Sequence, residues 1–284
     1  MPPERRVITC PVLRPDGTVL QKPGLDRRTG LLYQPDVNYP PVEDTPSIAV
    51  CLARRDALLD LVAPWPFATP HHRSAWLAAL FTCIAHPLIE GPCPLFVIDA
   101  QRAGLRKTTL VRLASSVAFG GDPAFLDPSM TSESFASRAT EHIKQGASAI
   151  VIDNVVATSS LPLEHLLAAM SHGALASRAT WWLTGNGITL PRRLWERSLR
   201  IALGSKDGVP STAPLPDLRH PKWLSDGRPQ LLSSALSLVR RFAIEAWHRT
   251  RGPISDEPFQ EWTAFIESLF RWLDLPDPTK VRYL

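Results

Sequence analysis

No pair of cysteines stands at C-x-x-C spacing; the four in the chain, Cys10, Cys51, Cys83 and Cys93, are scattered singly. That excludes zinc-ribbon and thioredoxin-like motifs and fits reduced, packed thiols in a cytoplasmic setting. A run of about 18 apolar residues, the minimum for a membrane-crossing helix, is also missing, so no membrane partner is expected. The start, Met1-Pro-Pro-Glu-Arg-Arg-Val, has no apolar stretch followed by a small-residue cleavage site and does not read as a signal peptide. His71-His72 has no third ligand at metal-binding spacing, and no serine sits in a G-x-S-x-G context. Charge of one sign is not in great excess: 31 Lys+Arg against 27 Asp+Glu leave +4, which permits a nucleic-acid partner without demanding one.

Proline, by contrast, is plentiful at 28 of 284 residues. It concentrates before residue 70 and after residue 205, so the regular core is expected between them. Residues 1–46 carry turn signals without periodicity (Arg14-Pro-Asp-Gly, Lys22-Pro-Gly, Asn38-Tyr-Pro-Pro) and read as an arm of short hairpins. Apolar spacing is mixed from Ser47 to Val62 and turns helical from His72 to Ile84. An α/β alternation follows. Strands are expected at Pro94–Asp99, Ala149–Asp153, Thr180–Thr184 and Ser198–Leu203, with helices at Lys107–Phe119, Glu133–Gln145 and Leu161–Met170 between them. Helices at Gln230–Arg249 and Phe259–Leu273 close the chain, and the tryptophans in these patterns are read as packing residues. Arg240-Arg241 and His248–Arg251 predict a basic exposed side on that helical tail. The expected architecture is an α/β three-layer sandwich around a parallel sheet, residues 47–208, with a separate C-terminal helical lid at 209–284.

Between the first strand and its helix the chain reads Gln101-Arg-Ala-Gly-Leu-Arg-Lys-Thr108. A strand, a glycine-containing loop, then Lys-Thr opening a helix is the layout of a phosphate-binding loop, G-x-x-x-x-G-K-[ST]. Amides at the helix start face the phosphates, a lysine reaches the β- and γ-phosphates, and a threonine hydroxyl meets Mg²⁺. Both glycines of the pattern are replaced, by Gln101 and Arg106, and Gly104 lies between them. Two later strand ends strengthen the match. Ile150-Val-Ile-Asp153-Asn154 has the form of a Walker B segment, and Thr184-Gly-Asn186 ends the next strand on an amide able to orient water or sense a γ-phosphate. Taken singly, Asp153 reads equally well as a helix cap and Asn186 as a turn residue. All of these fall at strand carboxyl ends, where ligands of open α/β sheets bind.

In this order the motifs resemble the ATP-binding proteins of prophages and integrative elements, AAA+ P-loop NTPases related to the superfamily-3-type helicase half of phage and poxvirus primase-helicases. The resemblance runs through Pro11–Gly17, Pro23–Asp26, Thr29–Tyr33, Val151–Val155, Arg178–Asn186, His220-Pro221 and Phe270–Pro278. It implies ATP and Mg²⁺ as cofactors, with hydrolysis coupled to DNA unwinding or remodelling in replication. Ala103, Gly104, Leu105, Arg106, Lys107, Thr108 and Thr109 would bind the nucleotide, with Thr108 and Asp153 at the metal. Asp153, Asn154, Asn186 and Arg197 would be catalytic, Arg197 acting on the next subunit of a ring of identical chains; Arg228 is a candidate second sensor. DNA and a separate primase are candidate partners. Two departures, the worn loop and a short stretch at Ser171–Ser177 where relatives carry a basic, aromatic insert, leave a non-hydrolysing regulatory relative as the alternative.

Overall fold

The structure, a computed structural model, describes residues 6–89, 91–156, 161, 163–170, 179–204, 215–247 and 259–283. The arm holds five two-residue strands: β1 (Val7–Ile8), β2 (Val12–Leu13), β3 (Val19–Leu20), β4 (Gly24–Leu25) and β5 (Leu32–Tyr33). They pair as a hairpin, β2 with β3, and as a small sheet in the order β1-β5-β4. Helices α1 (Ile48–Asp60) and α2 (Pro70–Ala85) follow. The alternation then runs β6 (Leu95–Ala100), α3 (Lys107–Phe119), β7 (Ala124–Leu126), α4 (Ser132–Lys144), β8 (Ala149–Val156), α5 (Leu163–Met170), β9 (Thr180–Asn186), α6 (Arg192–Trp195) and β10 (Ser198–Leu203). Helices α7 (Arg228–Phe242) and α8 (Gln260–Trp272) come last.

Five strands form one parallel sheet in the order β10-β6-β9-β8-β7. Every residue of β6 is buried, because successive side chains enter opposite cores. Phe96 and Ile98 face one core with Trp182, Leu199 and Ile201, while Leu95 and Val97 face the other with Ile150, Ile152 and Leu183. Continuous apolar runs such as Leu95–Ile98 are what burial on both faces requires. Helices α2, α3, α7 and α8 cover the first face; α4 and α5 cover the second.

Three elements escaped the sequence pattern: α1, β7 and the four-residue α6. Helix α1 was obscured because Ile48, Val50 and Leu52 lie on its solvent side, Ile48 at 66% exposure, so the apolar positions mark no face. Ser47 nonetheless caps it by accepting from the Val50 amide at 3.3 Å. Strand β7 is three residues long, too short to show a period.

The C-terminal helices are not a separate layer. Trp262 and Phe265 of α8 and Leu236 and Phe242 of α7 belong to the same core as α2 and α3. The Trp262 indole donates to Thr82 Oγ1 at 2.8 Å, and its ring lies 6.1 Å from that of Phe96. Nor is Arg240 on a basic exposed face: it is 9% exposed, pairs with Asp44 at 2.7 Å and donates to the Gly17 carbonyl at 3.2 Å. Arg241 pairs at 2.5 Å with Glu245, in the π-helical turn Ala243–Trp247 that continues α7. His248–Arg251 and the Ser171–Ser177 stretch lie outside the described residues.

Arg228 ties arm, sheet helix and tail together. Only 2% exposed, it donates from Nε to the Ser116 carbonyl at 2.8 Å and from Nη1 to the Tyr39 hydroxyl. Its guanidinium lies over the Tyr39 ring at 5.3 Å, and Asp36 balances it at 3.6 Å. A cation at the last carbonyls of α3 is favoured by the helix dipole. The helix ends on Gly120 at φ 81°, where a Cβ would lie 2.5 Å from Arg228 Nη2. Arg228→Met deletes the bonds to Ser116 and Tyr39, leaving the Ser116 carbonyl its Gly120 amide and the Tyr39 hydroxyl its bond to Asp36, so it is expected to cost about 2 kcal/mol, read as a lower denaturant midpoint. An unchanged midpoint would show the clasp to be dispensable.

Candidate functional site

Parallel pairing sets the carboxyl ends of β6, β9 and β8 side by side, Ala100 beside Asn186 and Val156 beside Asn186 in turn. The loop after β6 leads into α3, and helix and strand ends meet through side chains. Lys107 Nζ donates to Asn186 Oδ1 at 2.7 Å. Thr108 Oγ1 donates to Asp153 Oδ1 at 2.7 Å, and Thr184 Oγ1 donates to the same oxygen at 2.5 Å. Thr184 in turn accepts from the Asn154 amide at 3.2 Å. Lys107, Thr108, Asp153 and Asn186, singled out from three separate motifs, are thus gathered in two hydrogen-bonded sets at one sheet edge, Lys107 with Asn186 and Thr108 with Asp153 and Thr184.

Local irregularities aim these groups. The β8–β9 register shifts between Ile152 and Val155, and Asn154 adopts φ 61°, a left-handed conformation that asparagine tolerates better than most residues. The bulge exposes Asn154, while Asp153 stays partly buried. On β9, a Cβ at Gly185 would lie 2.1 Å from the Val155 carbonyl oxygen, so only glycine allows the two strands this approach.

One backbone angle in the loop is glycine-like despite the worn sequence. Arg106 sits at φ 54°, ψ 42°, the left-handed conformation that glycine adopts freely, and caps α3 with no side-chain hydrogen bond. Its side chain is exposed, as are Gln101, Arg102, Ala103 and Gly104; Leu105 packs against the first core. Thr109 is half-buried one step further along α3.

Burial lowers the Lys107 pKa from its ordinary value, while Asp99 and Asp153 act in the opposite direction. Asp99, 4% exposed, is itself neutralised by Arg200 at 2.8 Å and accepts from the Ile188 amide at 3.2 Å. Among the described residues no three His, Cys, Asp or Glu side chains gather as metal ligands. A hydroxyl and a carboxylate 2.7 Å apart do fit Mg²⁺, which takes one or two protein oxygens and completes its shell with phosphates and water. Both hydroxyls address Oδ1 of Asp153, which keeps Oδ2 for an ion or its water.

Two expected residues are not brought to this group. Arg228 holds the Ser116 end of α3, nine residues from Lys107 and therefore roughly 14 Å along the helix axis. Arg197 precedes β10, and its carbonyl accepts from the Leu95 amide at 3.0 Å, at the amino edge of the sheet. The length of β10, six residues or roughly 20 Å, separates that edge from the loop. Thr184 and Asp99 were missed as site residues. The only trace of Thr184 in the sequence is a polar residue closing an otherwise apolar strand, and Asp99 shows only as an acid just ahead of the loop.

No protein-family model matches the chain, and no curated protein matches it. Solved structures to which it is similar are helicases. The SCCmec type IV Cch active helicase shares 15% identity at a TM-score of 0.39, over 99% of this chain. The JCV helicase, and the same helicase with an inhibitor bound, share 15% identity at a TM-score of 0.31 over 80% and 79% of this chain. The chain spans 58% of the first protein's length and 66% of the second's.

Because Arg106 carries left-handed strain that glycine lacks, Arg106→Gly is expected to stabilise the fold by about 1 kcal/mol, measured by denaturant unfolding. A loss of stability on that change would mean the Arg106 side chain contributes more than its backbone costs.

Proposed function

We propose that this chain is an AAA+ core of the superfamily-3 helicase kind from a phage or mobile element, binding ATP·Mg²⁺ at residues 103–109. The observation that carries this reading is the convergence of Lys107 on Asn186 and of Thr108 on Asp153 at the carboxyl edge of one parallel sheet. Lys107 contacts the β- and γ-phosphates, exchanging its bond to Asn186 for them, and Asn186 is freed to orient water or sense the γ-phosphate. Thr108 and Asp153 hold Mg²⁺, which when bound neutralises charge building on the phosphoryl oxygens. The amides of α3, headed by the left-handed Arg106, complete the cradle. Arg197 lies at the far edge of its own sheet, so we assign it to the nucleotide of a neighbouring subunit in a ring. Hydrolysis there drives DNA unwinding or remodelling in replication, with a separate primase as the partner for initiation.

One observation favours a second reading, a non-hydrolysing regulatory subunit of the same fold. Asn154, exposed beside Asp153, is an amide and cannot accept the proton of an attacking water. Turnover separates the two readings.

ATP titration with and without Mg²⁺, paired with a phosphate-release assay on the same sample, tests the proposal. Lys107→Ala is expected to weaken ATP·Mg²⁺ binding on the order of 100-fold, since it deletes charge-assisted contacts to phosphate. Asp153→Asn should abolish the Mg²⁺ dependence while leaving a metal-free affinity. Absence of binding at millimolar ATP sinks the ATPase reading, and turnover that Arg197→Ala removes sinks the regulatory one.

The pH dependence has a defined sign. Burial makes Lys107 surrender its proton below the ordinary value of 10.5, so ATP affinity should fall as pH rises and begin falling before that value is reached. A profile flat until 10.5 would mean that Lys107 is not the phosphate-binding cation.

A further inference from the structure

Arg106 stands where the phosphate-loop pattern has glycine, yet its backbone is left-handed at φ 54°. Something must hold a non-glycine residue there. Its carbonyl accepts two hydrogen bonds, from the Leu110 amide at 3.3 Å within α3 and from the indole Nε1 of Trp65 at 3.3 Å. Trp65 is 5% exposed and belongs to the first core. It is flanked by Pro64 and Pro66, which stiffen the chain on either side. The next three residues are fastened to the sheet: the Gly204 amide donates to the Pro66 carbonyl at 2.7 Å, Phe67 bridges Leu203, and the Ala68 amide donates to the Ala202 carbonyl at 2.9 Å. The indole is therefore anchored to β10 and reaches across to the start of α3. One turn further on, the indole of Trp76 donates to the Leu110 carbonyl at 3.2 Å, so tryptophans hold the first turn of α3 at two successive acceptors.

We propose that Trp65 is the positioning residue of the nucleotide loop, its indole N–H locking the Arg106 carbonyl and so supplying the constraint that lets an arginine replace glycine. Its consequence for nucleotide affinity rests on the ATP reading above; the backbone coupling does not. A tryptophan that merely fills the core would contribute the same whatever residue occupies position 106. One that locks a strained conformation matters only while the strain is there.

A double-mutant cycle on the full chain decides between these. Trp65→Phe keeps an apolar ring and deletes the N–H. The readouts are amide exchange at Leu110, whose acceptor is the locked carbonyl, and ATP·Mg²⁺ affinity. Trp65→Phe should speed that exchange and weaken ATP by roughly fivefold, the size expected for one hydrogen bond, and by less than about twofold in the Arg106→Gly background. Trp76→Phe, the control, should act equally in both backgrounds. Equal effects of Trp65→Phe in the two backgrounds, or none on Leu110 exchange, overturn the proposal. If Trp65→Phe alone does not fold, recovery of folding by Arg106→Gly supports the lock, and failure to recover overturns it. Should no variant bind ATP, the nucleotide reading falls, while the exchange cycle still decides the role of Trp65.

Discussion

A hydroxyl given to a carboxylate, Thr108 to Asp153 across 2.7 Å, fixes how close helix α3 may come to strand β8. Everything else at the carboxyl edge depends on that spacing. Thr184 joins the same oxygen from the intervening strand, so one carboxylate registers a helix and two strands against each other. With that spacing fixed, Lys107 can reach Asn186 only on β9, the strand placed between β6 and β8 by the order of the sheet. The group forms in the low-dielectric margin of the core, where unpaired polar atoms are costly and mutual pairing is strongly favoured. A nucleotide entering here would have to exchange these internal bonds for its own.

The other end of α3 is secured as firmly by Arg228. Its buried guanidinium bonds to a helix carbonyl and to a partly buried tyrosine hydroxyl. Ser233 adds a bond to the Pro40 carbonyl at 2.8 Å, and Arg240 reaches Gly17 and Asp44, so α7 presents a row of polar anchors to the arm. The arm's strands are only two residues long, below what holds a sheet together alone. They persist because Cys10, Leu13, Val19 and Val42 enter the main core and the anchors satisfy the backbone between them.

The sequence was most legible where periodicity was longest. The strands at 95–100, 149–156, 180–186 and 198–203 stood out because burial on both faces demands unbroken apolar runs. Helix α3 stood out through its glycine stop. Lys107, Thr108 and Asn186 stood out because each sits where a strand ends or a helix begins, whereas Asp153, expected at a strand end, lies at the bulge inside β8, which runs on to Val156. Illegible features depended on packing between distant segments. Nothing in the local pattern around Arg228 reveals that Tyr39 and Asp36 will surround it, so a buried clasp read as a candidate sensor. Trp65 lies 41 residues before Arg106, and no spacing rule connects an indole to a carbonyl that far away. The tail helices looked detached because prolines precede them; their aromatic faces, matched to Phe81 and Phe96, draw them into the core.

Gly185 narrows what descendants of this sequence can explore. It pairs with Asp99 on one side and Val155 on the other, and any side chain there would collide with the Val155 carbonyl. Adding one methyl group would pry β9 away from β8 and carry Asn186 off with it. The neighbours of Gly185 are constrained differently, Thr184 by burial and its bond to Asp153 and Asn186 by its bond to Lys107, so there chemistry limits the choice. Position 185 is confined to one amino acid by geometry alone, whatever chemistry the edge performs.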